Sequence, residues 1–512
     1  MPQAKPFTIT FPLGGLDRQF SIQGQPPFTT PACLNVYPID TGTGRARGGV
    51  RPVLKKLTDK GSNPYHWSPI SYLDSTVKEG ILLCSSAGTD STLDGVTWTA
   101  RITDPPASSL ASCVPYNGKI YQASAGGFTR QATVLGSGET NLSNAGGGTA
   151  PTKCGIVWVH QDRLALAADS DHPHQLYMSA VGDATNWDDS DVTSGGAWTN
   201  TGSEGGQIGH AVIAAINHNY DISLIGSSRS IYAVLGNPRV SGTRRVSDSI
   251  GPLNNNSWCK GIDANGDNST FLLSYDGLYM IPAGDYSKLV KLSKNKIPIE
   301  LTGANVAAGD TPCIGFDNMW SGIYITINRF SGSDDHYFYH IPTDSYWPLD
   351  LPITPQVYAT FPAIQSAVRS SIIPIGSTGS VRQFDNAELQ GVPNESIDSY
   401  ILLGPIRLSN ADREGMLVSL TAALATGSED VNWEVYAGDT AEEAYTKAIA
   451  ATSPDFTGTK WTYASTRHLN YWQNPRVRGA YFYLRIADVA NERWLIEEII
   501  GERADAGKRR VS

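Results

Sequence analysis

The feature that most constrains this chain is a strand–turn–strand pattern that recurs between about Gly80 and Asn394. Each repeat alternates apolar and polar residues, turns at Gly, Asn or Asp, and continues in a second strand rich in Tyr and Trp. The best examples are VPYNGKIYQAS from Val114, VWVHQDRLALAA from Val157, DISLIGSSRSIYAVL from Asp221, FLLSYDGLYMI from Phe271 and IIPIGSTGSVRQF from Ile372. The turns lie about 45 to 60 residues apart, close to the length of one four-stranded propeller blade. The pattern predicts an all-β fold with a β-propeller of about six or seven blades over residues 80–394.

Composition agrees with many short strands and argues against several classes of function. The 512 residues include 51 Gly and 30 Pro, and only 17% are charged, which suits strands joined by tight turns. A formal net charge of −10 argues against a protein that grips nucleic acid by neutralising phosphates. The six Cys lie far apart with no CxxC pair, so neither a metal site nor a disulfide framework is predicted. No window reaches the roughly 18 apolar residues of a membrane span, and no cofactor is expected.

Two regions of the predicted propeller and the start of the chain lack the hairpin pattern. Residues 1–79 are predicted to form an extended N-terminal segment that includes a strand closing the ring. The Gly- and Ser-rich stretches 136–150 and 194–209 contain too few apolar residues for strands and are predicted to be long loops.

The pattern changes again after about residue 394. Residues 395–512 contain period-two strands, such as VNWEVY from Val431 and AYFYLRI from Ala480. A short helix is predicted over residues 439–452, which open with an Asp-Thr pair and are rich in Ala and Glu. These features predict a C-terminal β-sandwich domain with one helix, ending in a basic, frayed tail from Arg503.

Three kinds of polar motif have the composition of a functional site without its spacing. DSDHPH from Asp169 combines carboxylates and imidazoles, but it matches no standard metal site and is interpreted as a polar turn. STLDGVTW from Ser91 approaches the Asp-box of sialidases, a folding device in which the Asp satisfies backbone amides of a turn. Adjacent acids occur at Asp188-Asp189, Asp334-Asp335, Glu429-Asp430, Glu442-Glu443 and Glu497-Glu498. Neighbouring acids on a strand point to opposite faces, so no glycosidase pair, no catalytic residue and no metal ligand is predicted.

The segment from Phe11 to Pro52, FPLGGLDRQFSIQGQPPFTTPACLNVYPIDTGTGRARGGVRP, carries the most informative pattern. Its elements are Gly14-Gly15, the Gln25-Pro26-Pro27 and Thr30-Pro31 turn region, Asn35, and the GRARGG run from Gly44 followed by Arg51-Pro52. This segment resembles the amino-terminal signature of the tail tubular, or nozzle, proteins of short-tailed bacteriophages. Shorter phrases, SIYAVLGNP from Ser230 and GPIRLS from Gly404, also resemble phage tail proteins.

The resemblance implies a structural virion protein and not an enzyme. Members of that family are propellers that form a homo-oligomeric ring, by resemblance a hexamer, below the portal and its adaptor, where they line the DNA exit channel. The partners implied are further copies of the chain, the adaptor, other tail proteins and tail fibres. DNA would pass transiently through the lumen without specific binding. The location implied is the virion tail, after synthesis in the host cytoplasm.

Within the signature segment, Arg45, Arg47 and Arg51 are the candidate assembly residues, because they form the main basic cluster near the start of the chain. Contact with an acidic neighbouring ring, contact with DNA and simple solvation are all open for these three residues. The segment as a whole is expected to take part in ring closure and assembly, with Phe11, Leu13 and Leu16 in a short strand.

Two other functions also remain open for the whole chain. A propeller glycosidase or depolymerase would need convergent carboxylates at the propeller axis. A tail-tip receptor-binding module would bind host cells directly.

Overall fold

Seven antiparallel sheets of four strands each form a ring in this computed structural model. The structure describes residues 4–39, 47–50, 54–136, 138–200, 208–292, 296–302, 306–307, 309–361, 372–384, 398–409, 413–425, 428–458, 460–462, 475–489 and 494–508. At six of the seven junctions the first strand of one sheet lies next to the first strand of its neighbour, and the seventh sheet returns to the first. This arrangement is a seven-bladed β-propeller, so the predicted fold class is confirmed.

The strands of the first four blades follow one another in chain order. Blade 1 contains Pro64–Asp74, Thr76–Ser85, Gly88–Thr92 and Thr99–Ile102; blade 2 contains Ala111–Tyr116, Lys119–Ser124, Arg130–Thr133 and Glu139–Asn141; blade 3 contains Cys154–His160, Arg163–Asp169, Leu176–Met178 and Trp198–Thr199; blade 4 contains Ala214–Asn217, Ile222–Gly226, Ile231–Leu235 and Thr243–Ser247. A two-stranded sheet pairs Gly147–Gly148 with Asn186–Trp187, and a helical turn spans Pro238–Ser241.

The remaining three blades follow the same plan, except that the last borrows a strand. Blade 5 contains Trp258–Ile262, Asn268–Ser274, Gly277–Ile281 and Val290–Lys291; blade 6 contains Thr311–Asp317, Gly322–Asn328, Asp335–His340 and Ser345–Leu349; blade 7 contains Pro355–Thr360, Ile372–Gly376, Ser380–Phe384 and, from the start of the chain, Leu54–Asp59. Short 3-10 turns occupy Ile22–Gly24 and Ile299–Leu301.

The tight turns that the sequence indicated are present. In blade 2, Tyr116 pairs with Lys119 across the two-residue turn Asn117-Gly118. Both turn residues have positive φ, 45° and 71°, which is the geometry that Asn-Gly favours in a hairpin whose strands twist normally. The five quoted hairpins all fall on antiparallel strand pairs.

Both stretches predicted to be long loops contain an outer blade strand, so that prediction is wrong. Residues 136–150 include Glu139–Asn141, and residues 194–209 include Trp198–Thr199. These are fourth strands, at the rim of their blades, and each pairs with one neighbour only. A rim strand needs backbone pairing but little apolar side-chain burial, so hydrophobic periodicity could not find it.

The ring is closed by Leu54–Asp59, here called the closing strand. It pairs antiparallel with Ser380–Phe384 from the far end of the propeller. The closing strand follows the segment 11–52 instead of lying within it, and blade 1 begins at Pro64. Propeller strands therefore lie on both sides of residue 80, the boundary expected from the sequence.

The C-terminal domain is a sandwich of two sheets that also uses strands from the start of the chain. One sheet orders Val36–Ile39, Arg47–Val50, Leu495–Lys508, Arg413–Leu424 and Val477–Gly479, and Lys5–Thr10 also pairs with Leu495–Lys508; the other orders Cys33–Leu34, Tyr400–Arg407, Tyr481–Asp488, Val431–Gly438 and Phe456–Thr457. The strand predicted around Phe11, Leu13 and Leu16 thus lies slightly earlier, at Lys5–Thr10. Its partner strand runs through Arg503, which pairs with Lys5, so the frayed tail predicted from Arg503 is wrong as far as Lys508.

The predicted short helix of this domain is confirmed as Ala441–Ala450. Thr440 caps it, because its side-chain oxygen accepts a hydrogen bond from the Glu443 amide at 3.1 Å. The Glu443 carboxylate in turn accepts from the Asp439 amide at 3.0 Å, which completes a reciprocal cap. Its apolar face buries Ala444 and Ala448 against the sandwich.

One hydrophobic core joins the propeller to the sandwich. It combines residues of blades 6 and 7, of both sandwich sheets and of the N-terminal segment. Phe11 stacks on Trp347 of blade 6 with ring centroids 5.5 Å apart, and Tyr37 lies 4.9 Å from Phe338 in the same blade. Phe11, Tyr37 and Trp347 are all buried. The N-terminal segment therefore packs between the two domains.

The central channel as a candidate functional site

The seven inner strands surround a central channel with a volume of about 640 Å³. Each blade contributes lining residues, represented by His66, Cys113, Trp158, Asn217, Lys260, Gly315 and Tyr358 in blades 1 to 7. A volume of this size is within the range of about 300 to 1,000 Å³ that small-molecule sites occupy. The channel is therefore the first place to look for a ligand site.

The channel is least tightly closed between blades 4 and 5. At the other six junctions the inner strands of neighbouring blades pack closely, whereas Ala214–Asn217 and Trp258–Ile262 lie farther apart. The Asn255 side chain reaches across this junction, because its Oδ1 accepts a hydrogen bond from the Ala215 backbone amide at 3.2 Å. The junction leaves space that neighbouring backbones fill elsewhere in the ring.

Lys260 brings a positive charge to this junction. Its side chain is accessible from the channel, but the channel wall surrounds it. This partial loss of solvent lowers the pKa of its ammonium group. Among the described residues no carboxylate pairs with it. The pKa of nearby His218 is lowered mainly by burial and, to a smaller extent, by the positive charge of Lys260. An ammonium in such a setting favours a counterion.

Two amide side chains also line the channel. Asn217 ends the inner strand of blade 4, half-buried, with no side-chain hydrogen bond to any described residue. Asn255, whose oxygen is held by Ala215, keeps its NH2 group available as a donor. Asn256 differs, because its NH2 group donates to the Tyr65 carbonyl at 2.7 Å and so links blades.

Acids are scarce in the channel wall. Asp162 is the one acid among the described lining residues, and its carboxylate accepts a hydrogen bond from the Tyr220 hydroxyl at 2.8 Å. A glycosidase needs two carboxylates at a set separation. The described part of the wall offers one.

His66 and Cys113 face each other across blades 1 and 2 without reactive chemistry. The His66 ring nitrogen Nδ1 accepts a hydrogen bond from the Cys113 amide at 3.4 Å, and burial lowers the pKa of His66 to about 4. Burial also raises the pKa of the Cys113 thiol well above its usual value. A neutral imidazole beside a protonated thiol is a structural pair and not an activated nucleophile.

The three arginines predicted for assembly are Arg45, Arg47 and Arg51. Arg45 and Arg51 lie outside the described residues, and Arg47 begins the strand Arg47–Val50, for which the backbone alone is described. That strand belongs to the sandwich sheet. The assembly role of Arg45, Arg47 and Arg51 therefore stays a prediction.

The other polar motifs serve local structure. Asp94 accepts hydrogen bonds from the amides of Val96 and Thr97 at 2.8 and 2.7 Å, which confirms that the Asp-box-like motif is a turn. In DSDHPH, Asp171 pairs with Lys153 at 2.8 Å, and Asp169 accepts from the Tyr177 hydroxyl at 2.8 Å. Among the described residues no group of three His, Cys, Asp or Glu side chains could hold a metal ion.

None of the five acidic pairs reaches the channel wall. Asp335 instead pairs with Arg329 at 2.5 Å, and Asp188 accepts from the Ser190 hydroxyl at 2.6 Å. Glu443 belongs to the helix cap described above. Sequence reasoning missed Lys260, Asn217 and Asn255. The available signals were a lone Lys inside the strand SWCKGI and the Asn254-Asn255-Asn256 run before it.

Comparisons with known proteins give similarity of fold alone. No protein-family model matches the chain, and no curated protein matches it in sequence. The extracellular domain of a one component system protein, BT4673, from B. thetaiotaomicron is 11% identical over 74% of this chain, with a TM-score of 0.43. The chain covers 46% of that domain, less than half its length. YCF48 from Cyanidioschyzon merolae is 12% identical over 65% of this chain and 98% of its own, with a TM-score of 0.41. Among the described residues, no helix has the length and apolar character to cross a membrane.

Proposed function

We propose that this chain is a structural subunit of a homo-oligomeric ring in the tail of a short-tailed phage, in the position of the nozzle below the portal and adaptor. The observation that supports this most is the place of the signature segment. Described residues of the stretch that resembles nozzle proteins lie in the core between propeller and sandwich, where Phe11 and Tyr37 are buried. A subunit that transmits load in a ring needs domains joined in this way.

Asn35, one of the signature residues, makes the connection specific. Its amide donates to the Pro348 carbonyl at 3.0 Å, and its side-chain oxygen accepts from the Asp350 amide at 2.7 Å. Its NH2 group donates to the Asp398 carbonyl at 2.7 Å. Asn35 has a φ of 54°, which Asn tolerates better than most residues. One side chain thus links the end of blade 6 to the start of the sandwich.

Many acidic turn residues lie at one end of the propeller. Every blade has four antiparallel strands, so the seven inner strands all run in the same direction. The end of the propeller at which these inner strands finish is here called the exit end. Ten Asp residues in turns at the exit end form no ion pair with Lys or Arg among the described residues; they are Asp94, Asp162, Asp183, Asp188, Asp189, Asp191, Asp221, Asp263, Asp267 and Asp285. At the opposite end some acids are paired, as Asp276 is with Lys291 and Asp310 with Arg329, and others, such as Asp169 and Asp334, form no ion pair among the described residues.

The acidic turns at the exit end fit a ring through which DNA passes. An acidic surface repels phosphates, so DNA that slides past it is not retained. In the proposed ring the exit end of each propeller faces the DNA path. The channel inside one propeller is too small for a duplex, so the path lies between subunits.

Electron microscopy of the purified chain tests the proposal. We expect closed rings of identical subunits with a wide lumen bordered by the exit ends of the propellers. A monomer at all concentrations, or rings whose lumen is bordered by basic surface, would contradict it.

The predicted arginine contacts have their own test in stacked rings. Replacing Arg45, Arg47 and Arg51 together with Ser should weaken stacking on an acidic neighbour, and more so at low salt than at high salt. The matched control replaces three exposed cations of the propeller, Arg229, Arg244 and Lys288, with Ser. Equal effects of the two triple variants would exclude a specific role for the arginines.

A further inference from the structure

We propose that Lys260 is a covalent modification site for a small aromatic aldehyde, which enters the central channel and forms an imine with the lysine amine. The proposal goes beyond ring formation and does not rest on it, because Lys260 and the channel wall around it belong to one propeller.

The Lys260 side chain is accessible from the channel. It lines the channel of about 640 Å³ and is itself exposed. Lys260 shares a face of blade 5 with Thr270, its cross-strand neighbour, and the Thr270 hydroxyl hydrogen bonds to the His218 ring of blade 4 at 2.9 Å. This face is therefore turned towards blade 4, and the inner strands of blades 4 and 5 are the one neighbouring pair that does not pack closely. The amine lies at the loosest junction of the ring, where a small molecule in the channel can reach it.

The neighbours of Lys260 on the same face of its strand are apolar. Residues two apart on a strand share a face and lie about 7 Å apart, so Trp258 and Ile262 flank Lys260. Trp258 also lines the channel, and its indole N–H has no hydrogen-bond partner among the described residues. The Lys260 ammonium has no ion pair or side-chain hydrogen bond within the described part of the chain, and the loss of solvent lowers its pKa. At a given pH this amine is neutral more often than the amine of an ordinary surface lysine.

A neutral amine adds to an aldehyde without an oxidant or a reductant. The lone pair of Nζ forms a bond to the carbonyl carbon, the π pair of the C=O bond moves to oxygen, and one proton passes from nitrogen to that oxygen, which gives a carbinolamine. The nitrogen lone pair then forms the C=N bond as the C–O bond breaks, and the hydroxyl group leaves as water with the remaining nitrogen proton. A neutral imine thus replaces a cation that has no counterion in the described wall, so the apolar setting favours the product.

The channel wall indicates which aldehydes fit best. Aromatic side chains from four blades line it, namely Trp67, Trp158, Trp258 and Tyr358. Aromatic rings pack favourably on one another, offset or edge to face, and bury a large apolar area. An aldehyde that carries an aromatic ring therefore gains more from this wall than a short aliphatic aldehyde does.

The test compares Lys260 with Lys288, an exposed lysine of the same blade outside the channel, in the full chain. The chain is incubated with benzaldehyde or with acetaldehyde, the imines are reduced to stable secondary amines with sodium borohydride, and the adducts on each lysine are quantified by peptide mass spectrometry. We expect at least about tenfold more benzaldehyde adduct on Lys260 than on Lys288, because burial of the ring in the channel adds to the reactivity of the amine. Acetaldehyde should show a smaller preference, and the chain unfolded in guanidinium chloride should show none.

A matched pair of variants tests the unpaired state of the amine. Ile262 is partly exposed, so its replacement should leave the fold intact, which thermal unfolding checks. Ile262→Glu places a carboxylate beside Lys260, which should hold the amine protonated and reduce the benzaldehyde adduct several-fold. Ile262→Gln has the same shape without the charge and should trap close to the wild-type amount.

The comparison of the two lysines in the wild-type chain stands whether or not the variants fold. The proposal is overturned if Lys260 in the folded wild-type chain traps no more benzaldehyde than Lys288, or if the unfolded chain shows the same preference. Equal preferences for benzaldehyde and acetaldehyde would also overturn it, as would a folded Ile262→Glu variant that traps as much as Ile262→Gln.

Discussion

The propeller and the sandwich are both β-structures, but they are connected in opposite ways. Blades 1 to 6 are each folded from one continuous stretch, so their strand pairs are local hairpins. The sandwich takes strands from both ends of the chain, with Lys5–Thr10 and Arg47–Val50 both pairing with Leu495–Lys508. Blade 7 lies between these extremes because it borrows only its closing strand.

The difference assigns the N-terminal segment a dual role. The described residues 4–39 and 47–50 complete the sandwich and fill the core against blade 6, whereas the closing strand Leu54–Asp59 completes the propeller. Local hairpins form with little loop-closure cost, while pairings between chain ends must overcome a larger one. The sandwich therefore depends on the N-terminal segment more than the propeller does.

Deletion of residues 1–52 should have the largest effect on the joint between propeller and sandwich. Removing residues 1–52 keeps the closing strand but deletes every N-terminal strand of the sandwich and the buried side chains of Phe11 and Tyr37. We expect loss of soluble, ring-forming protein, because several residues worth about 2 to 5 kcal/mol each leave one core. The measurement is soluble yield followed by thermal unfolding.

A shorter deletion provides the control for that experiment. Removing residues 1–4 deletes no described strand, so its unfolding temperature should match that of the full chain. If the chain lacking residues 1–52 forms the same rings with the same unfolding temperature, the shared core is not needed and the dual role is wrong.

A single side chain at the joint should have a smaller effect than deletion. Trp347→Ala removes a fully buried ring that stacks on Phe11 and leaves a cavity in the shared core. We expect a loss of about 3 to 5 kcal/mol in the free energy of unfolding, measured with urea. The matched change Tyr275→Ala, at an exposed aromatic of blade 5, should cost less than about 0.5 kcal/mol. Similar losses for the two variants would mean that the joint contributes little stability.

The same contrast explains how much of the fold could be predicted. Hairpins such as Ala111–Tyr116 with Lys119–Ser124 carry their own turn and period-two alternation, so local pattern was sufficient. The pairing of Lys5 with Arg503 leaves no local signal, because register between distant strands is set by the packed core. Rim strands such as Glu139–Asn141 were missed because pairing through the backbone leaves little trace in side-chain chemistry.

The candidate site was beyond sequence reasoning for a related reason. Lys260, Asn217 and Asn255 are ordinary polar residues that line the channel only because the closed ring brings the inner strands of different blades around one axis. No local motif encodes that arrangement. Asp94, in contrast, was correctly interpreted because an Asp that satisfies nearby amides acts within four residues.

Acid should distinguish the two domains through buried histidines. Burial lowers the pKa of His336 and His340 in blade 6 to about 4, as it does for His66, whereas no buried His occurs among the described residues of the sandwich. Between an unfolded pKa near 6.5 and a folded pKa near 4, the unfolded chain binds more protons than the native one.

The stability due to each histidine is therefore fully present above pH 6.5 and is lost as the pH falls towards 4. The limit is about 3 kcal/mol for each, since one pKa unit corresponds to about 1.4 kcal/mol. His336→Asn keeps a side chain that can reach the Thr326 hydroxyl, now 2.9 Å from the imidazole, but does not titrate. The difference in unfolding free energy between wild type and His336→Asn should change by about 2 to 3 kcal/mol between pH 7 and pH 4. Carboxylates titrate equally in both proteins, so their contribution cancels in this difference. Hydrogen exchange, corrected for its intrinsic pH dependence, should show this loss in propeller peptides and not in sandwich peptides. A parallel pH dependence for wild type and variant would mean that His336 is not held neutral by burial.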